Sequence, residues 1–378
     1  MPPKNGAGFS LKDHLFNKRK VQYLADLFRA ADADFDAKSF VKQATRPFKS
    51  LELKERIAHL AVTLEDFLND DFRVSAKQIM EALPPPLDPR KTDDDFGDFI
   101  LAPLGEYVVR NGLSKRHLKL SLRTLKEITQ RFSMEDAIRH FINAFPDETL
   151  RELEKWSTDS NYHVRRLVSE GARPTLPWSG RLAVDFTQPL PLLDKLHADP
   201  TRYVTRSVAN HLNDISKLEP THAISTLKRW KQESVQQQDE FNWIAKHALR
   251  TLIKQGHHDA LKFLGFRTNP KIDIENFTVA RKRLKPGEVL EFAFDIVAER
   301  DEPLIVDYVI DFVKANGSLA PKVHKLKQLT EKNGKRVTLK KQHTLRANAT
   351  TYTLYPGTHR VTIQINGSAY GTLEFELI

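Results

Sequence analysis

The sequence predicts an all-α HEAT-like repeat solenoid followed by an all-β Ig-like sandwich domain. Three observations carry that expectation. Apolar residues recur at three and four through the first two thirds of the chain, they recur at two after Pro270, and the helical part repeats itself at an offset of about 40 residues.

The helical spacing is plain in "LADLFRAADADF", "LRTLKEITQRF" and "AISTLKRWKQ", where one face of each segment is apolar and the other charged. Between such segments, "LPPPLDPRKTDDDFGDF" (83–99) is rich in Pro and Asp and reads as an excursion between helices, not as a domain boundary. Writing "YHVRRLVSEGARP" above "RYVTRSVANHLND" sets Val164 over Val204, Arg166 over Arg206, Val168 over Val208 and Glu170 over Asn210. A further step reaches "WIAKHALRTLIK", with Ile244, Lys246, Ala248 and Arg250 in the equivalent places. Helix pairs at this period bury their apolar faces only by stacking on their neighbours. After Pro270, "IDIENFTVARKRL", "EVLEFAFDIVAE", "LIVDYVIDFVKA", "RVTLKKQHTL", "TYTLYPGTHRVTIQIN" and "GTLEFELI" read as strands between Gly, Pro and Asn turns, with Ig-like proportions. The expected domains are therefore 1–269, helical, and 270–378, the sandwich.

Composition bounds the chemistry. The 378 residues are 40% hydrophobic and 29% charged, enough for packed cores and too apolar for disorder. Fifty-nine Lys and Arg against 49 Asp and Glu leave a net charge of +10, which favours polyanionic partners. With no cysteine there is neither a disulfide framework nor a thiolate metal site, and a reducing cytoplasm fits. The first twenty residues lack a signal-peptide core and no apolar run is long enough to span a bilayer, so no membrane role is expected. The 14 histidines are scattered, with His257 and His258 adjacent instead of three or four apart; neither a metal nor a cofactor is expected. Nor is there a phosphate-cradling glycine loop or a Gly-x-Ser-x-Gly element.

The repeat register orders the charges. Val164, Leu167 and Val168 form an apolar stripe, while Arg166 and Glu170 stand four apart on another face; Arg206, Asn210 and Asp214 follow at the same spacing in the next repeat, then Lys246, Arg250 and Lys254. Stacked repeats would align these into rows of cations interrupted by carboxylates. A solvated helix face gives the same pattern. Against that reading, Arg followed by Glu at i, i+4 is the poorer order for helix stability, and the basic positions recur in one register.

"NYHVRRLVSEGARPTLPW", "YVTRSVANHLNDISK" and "SMEDAIRHFI" resemble the signature segments of the AlkC branch of bacterial alkylpurine DNA glycosylases, HEAT-like enzymes related to AlkD. The resemblance spans the helical part, and the basic sandwich is similar to the Ig-like domain attached in some members. The chain departs from the family pattern at Phe132, Asp136 and His140, where a threonine, an aromatic residue and a proline are expected; Glu135 and Arg139 remain in place.

The resemblance implies hydrolysis of the N-glycosidic bond of 3-methyladenine and similar cationic bases in duplex DNA without base flipping; no lysine is assignable as a Schiff-base nucleophile, so no lyase step is expected, and the protein is expected to be a monomer in the bacterial cytoplasm at the nucleoid. A cationic base leaves without protonation, so the chemistry needs carboxylates beside the sugar to meet its developing positive charge. Glu135 is expected to be the principal carboxylate, Asp214 the second and Glu170 a near-sugar or arginine-positioning group. Glu135 is otherwise readable as a first-turn residue after a Ser133 cap. Trp178, between Pro177 and Ser179, would stack on the sugar or lesion, its alternative being a space-filler between repeats. Arg166, Arg206, Lys246 and Arg250, with Asn210, would meet phosphates, and Arg139 and Arg165 would join them or hold the carboxylates. In the sandwich, "PKVHKLKQLTEKNGKRVTLKK" concentrates Lys325, Lys327, Lys335 and Arg336 among other cations, a hairpin or loop suited to a DNA backbone. Two other classes keep the basic rows without the chemistry: a non-catalytic HEAT-like DNA-binding protein and a scaffold for an acidic protein.

Overall fold

The computed structural model describes residues 10–90, 96–347, 349 and 352–378. The chain forms a helical N-terminal region followed by a strand-rich C-terminal region. It divides into two compact units, one of Met1–Ile215 with Glu233–Ile244 and the other of Ser216–Gln232 with Ala245–Ile378.

In the first unit, short polar side chains start the helices. Asn17, Asp36, Asp71 and Asn161 each accept a hydrogen bond from a backbone N–H of the first turn, and Glu52 and Glu55 cap each other's backbone reciprocally. The helix Glu135–Ala144 packs against Pro146–Trp156 and Tyr162–Gly171, and the last also packs against Leu190–Leu196. Ile138, Phe141, Leu153, Val164, Leu167, Val168 and Leu193 on these helices are buried. Each such side chain contributes about 1.5–3 kcal/mol of burial, which makes tertiary packing, not helix propensity, the term that holds short helices together. Gly171 permits a close approach: a Cβ there would stand 2.4 Å from Ile138 Cγ2. The Pro- and Asp-rich excursion has no helix or strand from Leu83 to Arg90, residues 91–95 lie outside the described residues, and Gly97 bridges Phe132. Gly97 has φ +74°, and a Cβ would collide with the Arg131 carbonyl at 1.8 Å.

Buried arginines brace this unit. Arg56 donates to the carbonyls of Phe16 at 2.7 Å and Phe48 at 2.6 Å and pairs with Asp13 at 2.7 Å. Backbone carbonyls at helix ends and turns lack helical partners, and a fork of five N–H donors satisfies several at once.

The second unit holds the sandwich: β1 (Ile272–Val279), β2 (Arg283–Leu284), β3 (Val289–Ala298), β4 (Glu302–Val313), β5 (Leu319–Glu331), β6 (Arg336–Thr344), β7 (Gly357–Ile365) and β8 (Ser368–Leu377). One sheet runs β1-β3-β6, the other β2-β8-β7-β4-β5. Alternate residues face inward, Leu290, Phe292, Phe294 and Ile296 from one sheet against Leu304, Val306, Tyr308, Ile310, Val361, Ile363 and Phe375 from the other. Asn366 and Gly367, both at positive φ (47° and 83°), make the tight β7–β8 hairpin turn.

Three details depart from the sequence reading. "IDIENFTVARKRL" is not one strand: the register of β1 shifts between Glu275 and Thr278, and β2 leaves for the other sheet, where it pairs parallel with β8. The basic run is not a hairpin either, since β5 pairs with β4 and β6 with β3, so its charges are divided between the edges of two sheets. The third repeat's helix is broken at Leu249 into Gln238–Ala248 and Arg250–Lys254. The compact units are also cut elsewhere than the change of period. Gln364 Nε2 donates to the Lys254 carbonyl at 3.0 Å and Asn366 Nδ2 to that of Arg267 at 2.8 Å, which ties the last helices to the sandwich.

Candidate active site

Glu135 is the first residue of the helix Glu135–Ala144, where Met134 occupies the cap position and supplies no side-chain bond. Glu135, 9% exposed, accepts from Arg166 Nη1 at 2.7 Å and from Ser133 Oγ at 2.9 Å through Oε2. Ser133 is thus a partner of the carboxylate instead of a helix cap. The second oxygen, Oε1, accepts from the Trp178 indole N–H at 3.1 Å. Trp178 is 53% exposed, one of the largest apolar surfaces on the unit, and Lys54 donates to its carbonyl.

From Glu135 the charges alternate inward. Arg166 Nη2 lies 3.7 Å from Glu170 Oε1; Arg173 Nη1 donates to that oxygen at 2.6 Å, and Arg173 Nε donates to Asp214 Oδ2 at 2.8 Å. Ser207 Oγ completes the coordination of Glu170 at 2.6 Å. Glu170 and Asp214 are 4% and 2% exposed, so solvent does little to screen the row. Burial pushes Glu170 up, but Arg166 and Arg173 pull it below the usual carboxylate range. Burial likewise works against a charged Arg166, and Glu135 and Glu170 more than compensate, holding it protonated. His211, beside Asp214, is driven down to about 4 by burial and stands neutral, with Nδ1 3.1 Å from the Ser169 carbonyl oxygen. Three carboxylates and two guanidiniums leave this row with an excess negative charge, suited to a cation brought to its Glu135 end.

The structure brings Glu135, Arg166, Glu170, Trp178 and Asp214 together in this way, and it redistributes the expected phosphate contacts. Arg139 is 2% exposed, and its guanidinium donates to the carbonyls of Arg173 at 2.7 Å, Gly180 at 2.9 Å and Gly171 at 3.1 Å. Arg165 pairs with Asp199 at 2.5 Å and donates to the Asp159 carbonyl at 2.8 Å. Arg166 is committed to the carboxylates. Most of the donors of these three are turned to carboxylates and carbonyls inside the fold, the other role the sequence offered for Arg139 and Arg165. Arg206 and Asn210 are half-buried on the helix Arg202–Leu218. Lys246 and Arg250 belong to the other compact unit, where Lys246 is exposed and bonds Gln328, and Arg250 donates to the His247 carbonyl at 2.6 Å. Lys325, Lys327, Lys335 and Arg336 are all exposed on the sandwich, and Arg336 also pairs with Glu275 at 2.7 Å and Asp295 at 2.9 Å.

Sequence reasoning missed Arg173, Ser207 and Tyr203. Arg173 had a signal, standing three residues after Glu170 in the same motif; Ser207 and Tyr203 reach the row from another helix and had none. Among the described residues no group of three or more His, Cys, Asp or Glu is placed to hold a metal ion, and no helix is long and apolar enough to cross a membrane.

Fold and site together define a helical protein with a C-terminal Ig-like domain, whose helical unit carries a row of alternating acids and arginines under an exposed tryptophan. Residues 273–378 match the family model described as "Uncharacterised protein YhaZ, C-terminal Ig-like domain". The chain is 34% identical over 369 residues to the uncharacterized protein YhaZ of Bacillus subtilis (strain 168), covering 96% of this chain and 98% of that one. It also matches the Pseudomonas fluorescens alkylpurine DNA glycosylase AlkC, solved bound to DNA containing an abasic site analog, with 35% identity and a TM-score of 0.88 over 98% of this chain and 100% of that one. The chain belongs to the AlkC-type family that includes YhaZ, with its C-terminal Ig-like domain.

Proposed function

We propose that this protein is a monofunctional DNA glycosylase that hydrolyses the N-glycosidic bond of cationic alkylated bases such as 3-methyladenine in duplex DNA, acting as a monomer in the cytoplasm. The observation that carries the reading is the Glu135 carboxylate, bound by Arg166 at 2.7 Å on one oxygen and by the exposed Trp178 at 3.1 Å on the other. Family membership supports the reaction class.

A cationic base departs with the electron pair of the glycosidic bond and becomes neutral, so no acid need protonate it. Positive charge grows on the deoxyribose, where Glu135 and the excess negative charge of the row behind it stabilise it. Water adds to C1′ and gives up its proton to Glu135, leaving a free base and an abasic site. The indole face of Trp178 supports a cationic lesion or its sugar. Because Trp178 lies at the surface, the lesion can be reached while still stacked, which supports excision without flipping. Asp214 acts as the second carboxylate through Arg173, and Glu170, enclosed by Arg166, Arg173 and Ser207, positions the arginines.

The test is base release from a methylated duplex without added metal. Wild type should free 3-methyladenine and leave the strand uncut, while Glu135→Gln should bind abasic-site duplex yet release nothing. Release retained in both Glu135→Gln and Asp214→Asn would overturn the assignment. Wild-type binding without release would favour the architectural DNA-binding class instead.

A further inference from the structure

Tyr203 stands behind the row without a partner for its hydroxyl. It is 3% exposed, and its phenol oxygen is buried with no hydrogen bond. What the side chain does offer is its face: the Arg166 guanidinium carbon lies 4.7 Å from the ring centroid. Three rings close in on Tyr203 nearly edge-on, Phe96 at 5.6 Å and 81°, Tyr162 at 6.0 Å and 79°, and His163 at 5.6 Å and 71°. Phe96 comes from the Pro- and Asp-rich excursion, and Tyr162 and His163 from the start of the helix that carries Arg166 itself. Contacts with three neighbouring rings restrain Tyr203, and its electron-rich face is a seat for the Arg166 cation.

The seat matters because Arg166 is unevenly held. Nη1 has Glu135 and Ser133, each at 2.7 Å, while Nη2 is 3.7 Å from Glu170, beyond hydrogen-bond reach. A guanidinium drawn onto Glu170 would complete that second bond and leave the Glu135 oxygen. The face of Tyr203 opposes this.

We infer that Tyr203 is a positioning residue, whose aromatic face fixes Arg166 so that Glu135, and not Glu170, receives the close ion pair. The inference rests on the glycosylase reading for its consequence in turnover, although the contact itself does not. A hydroxyl that bonds nothing contributes nothing to this task; the ring's quadrupole contributes all of it.

The experiment replaces Tyr203 by Phe, by Met and by a series of progressively fluorinated phenylalanines, which keep the ring's shape while draining its face of negative charge. Tyr203→Phe should keep wild-type kcat on methylated duplex. Tyr203→Met and the most fluorinated ring should lower kcat by roughly ten-fold with KM and melting temperature little changed. A flat kcat across the fluorine series in an active protein overturns the inference, as does loss in Tyr203→Phe equal to that in Tyr203→Met. Should Met fail to fold, the isosteric fluorine series still decides. If wild type releases no base, the functional reading fails separately, and NMR signals of the Arg166 guanidinium decide the contact: movement with fluorination supports it, and constancy refutes it.

Discussion

The indole N–H of Trp178 and the Nη1 of Arg166 approach opposite oxygens of the Glu135 carboxylate, at 3.1 and 2.7 Å. An exposed aromatic residue is thereby tied to a buried ion pair through one acid. The two donors differ in strength, because a charged donor contributes about 1.5–3 kcal/mol and a neutral one about half of that. Arg166→Ala should therefore lower kcat about a hundred-fold and leave the affinity for undamaged duplex nearly unchanged, whereas Trp178→Phe should cost about ten-fold or less. Single-turnover base release with parallel binding isotherms checks both. A shallower salt slope in Arg166→Ala would restore it to the phosphate contacts.

Asp214 and Glu135 should separate by stability. Asp214 is almost wholly buried against Arg173, and removing one member of a buried pair costs about 3–5 kcal/mol. Asp214→Asn should lower both the melting temperature and turnover. Glu135→Gln, at the open end of the row, should lower turnover with a smaller thermal change. Calorimetry beside base release distinguishes them.

His211 predicts loss of stability in acid. Its folded value of about 4 lies below the ordinary 6.5, so between these values the unfolded chain binds the extra proton. Its contribution is fully present above pH 6.5 and is lost as pH falls toward 4, on the order of 3 kcal/mol in all. Urea denaturation of His211→Gln should show a flatter pH dependence over that window than wild type.

Asp307 has the opposite sign. Burial lifts its carboxyl to about 6, against the pull of Lys254 and Lys325, so the folded state prefers the protonated acid. Stability associated with this group is present below pH 3.8 and is lost as pH rises through about 6. Asp307→Asn should therefore raise the melting temperature at pH 8 and give no gain at pH 4.

Exposed and paired cations on the sandwich should differ in salt response if that domain meets DNA. The double substitution Lys325→Ala with Lys327→Ala should reduce the slope of log K against log salt by about 2, at roughly 0.9 per phosphate contact. Arg336→Ala should leave it unchanged, since Glu275 and Asp295 already neutralise that guanidinium. Titrations at several salt concentrations measure this directly.

The sequence by itself determined the order of helical and strand-rich regions and the segments that supply the site. Local periodicity dictates which face of a helix or strand is apolar, and the motifs around Glu135, Arg166, Glu170, Trp178 and Asp214 are contiguous in the chain. Tertiary structure alone decided which cations are spent inside the fold. Arg139 and Arg165 look like surface charges in sequence, yet carbonyls and an acid far along the chain take up their donors. It also decided that the basic run belongs to two sheets, because strand pairing depends on partners distant in sequence. Hydrogen-bond satisfaction and ring packing are properties of neighbours in space, which a one-dimensional pattern does not contain; hence Tyr203 and Ser207 became visible only once their helix lay against the row.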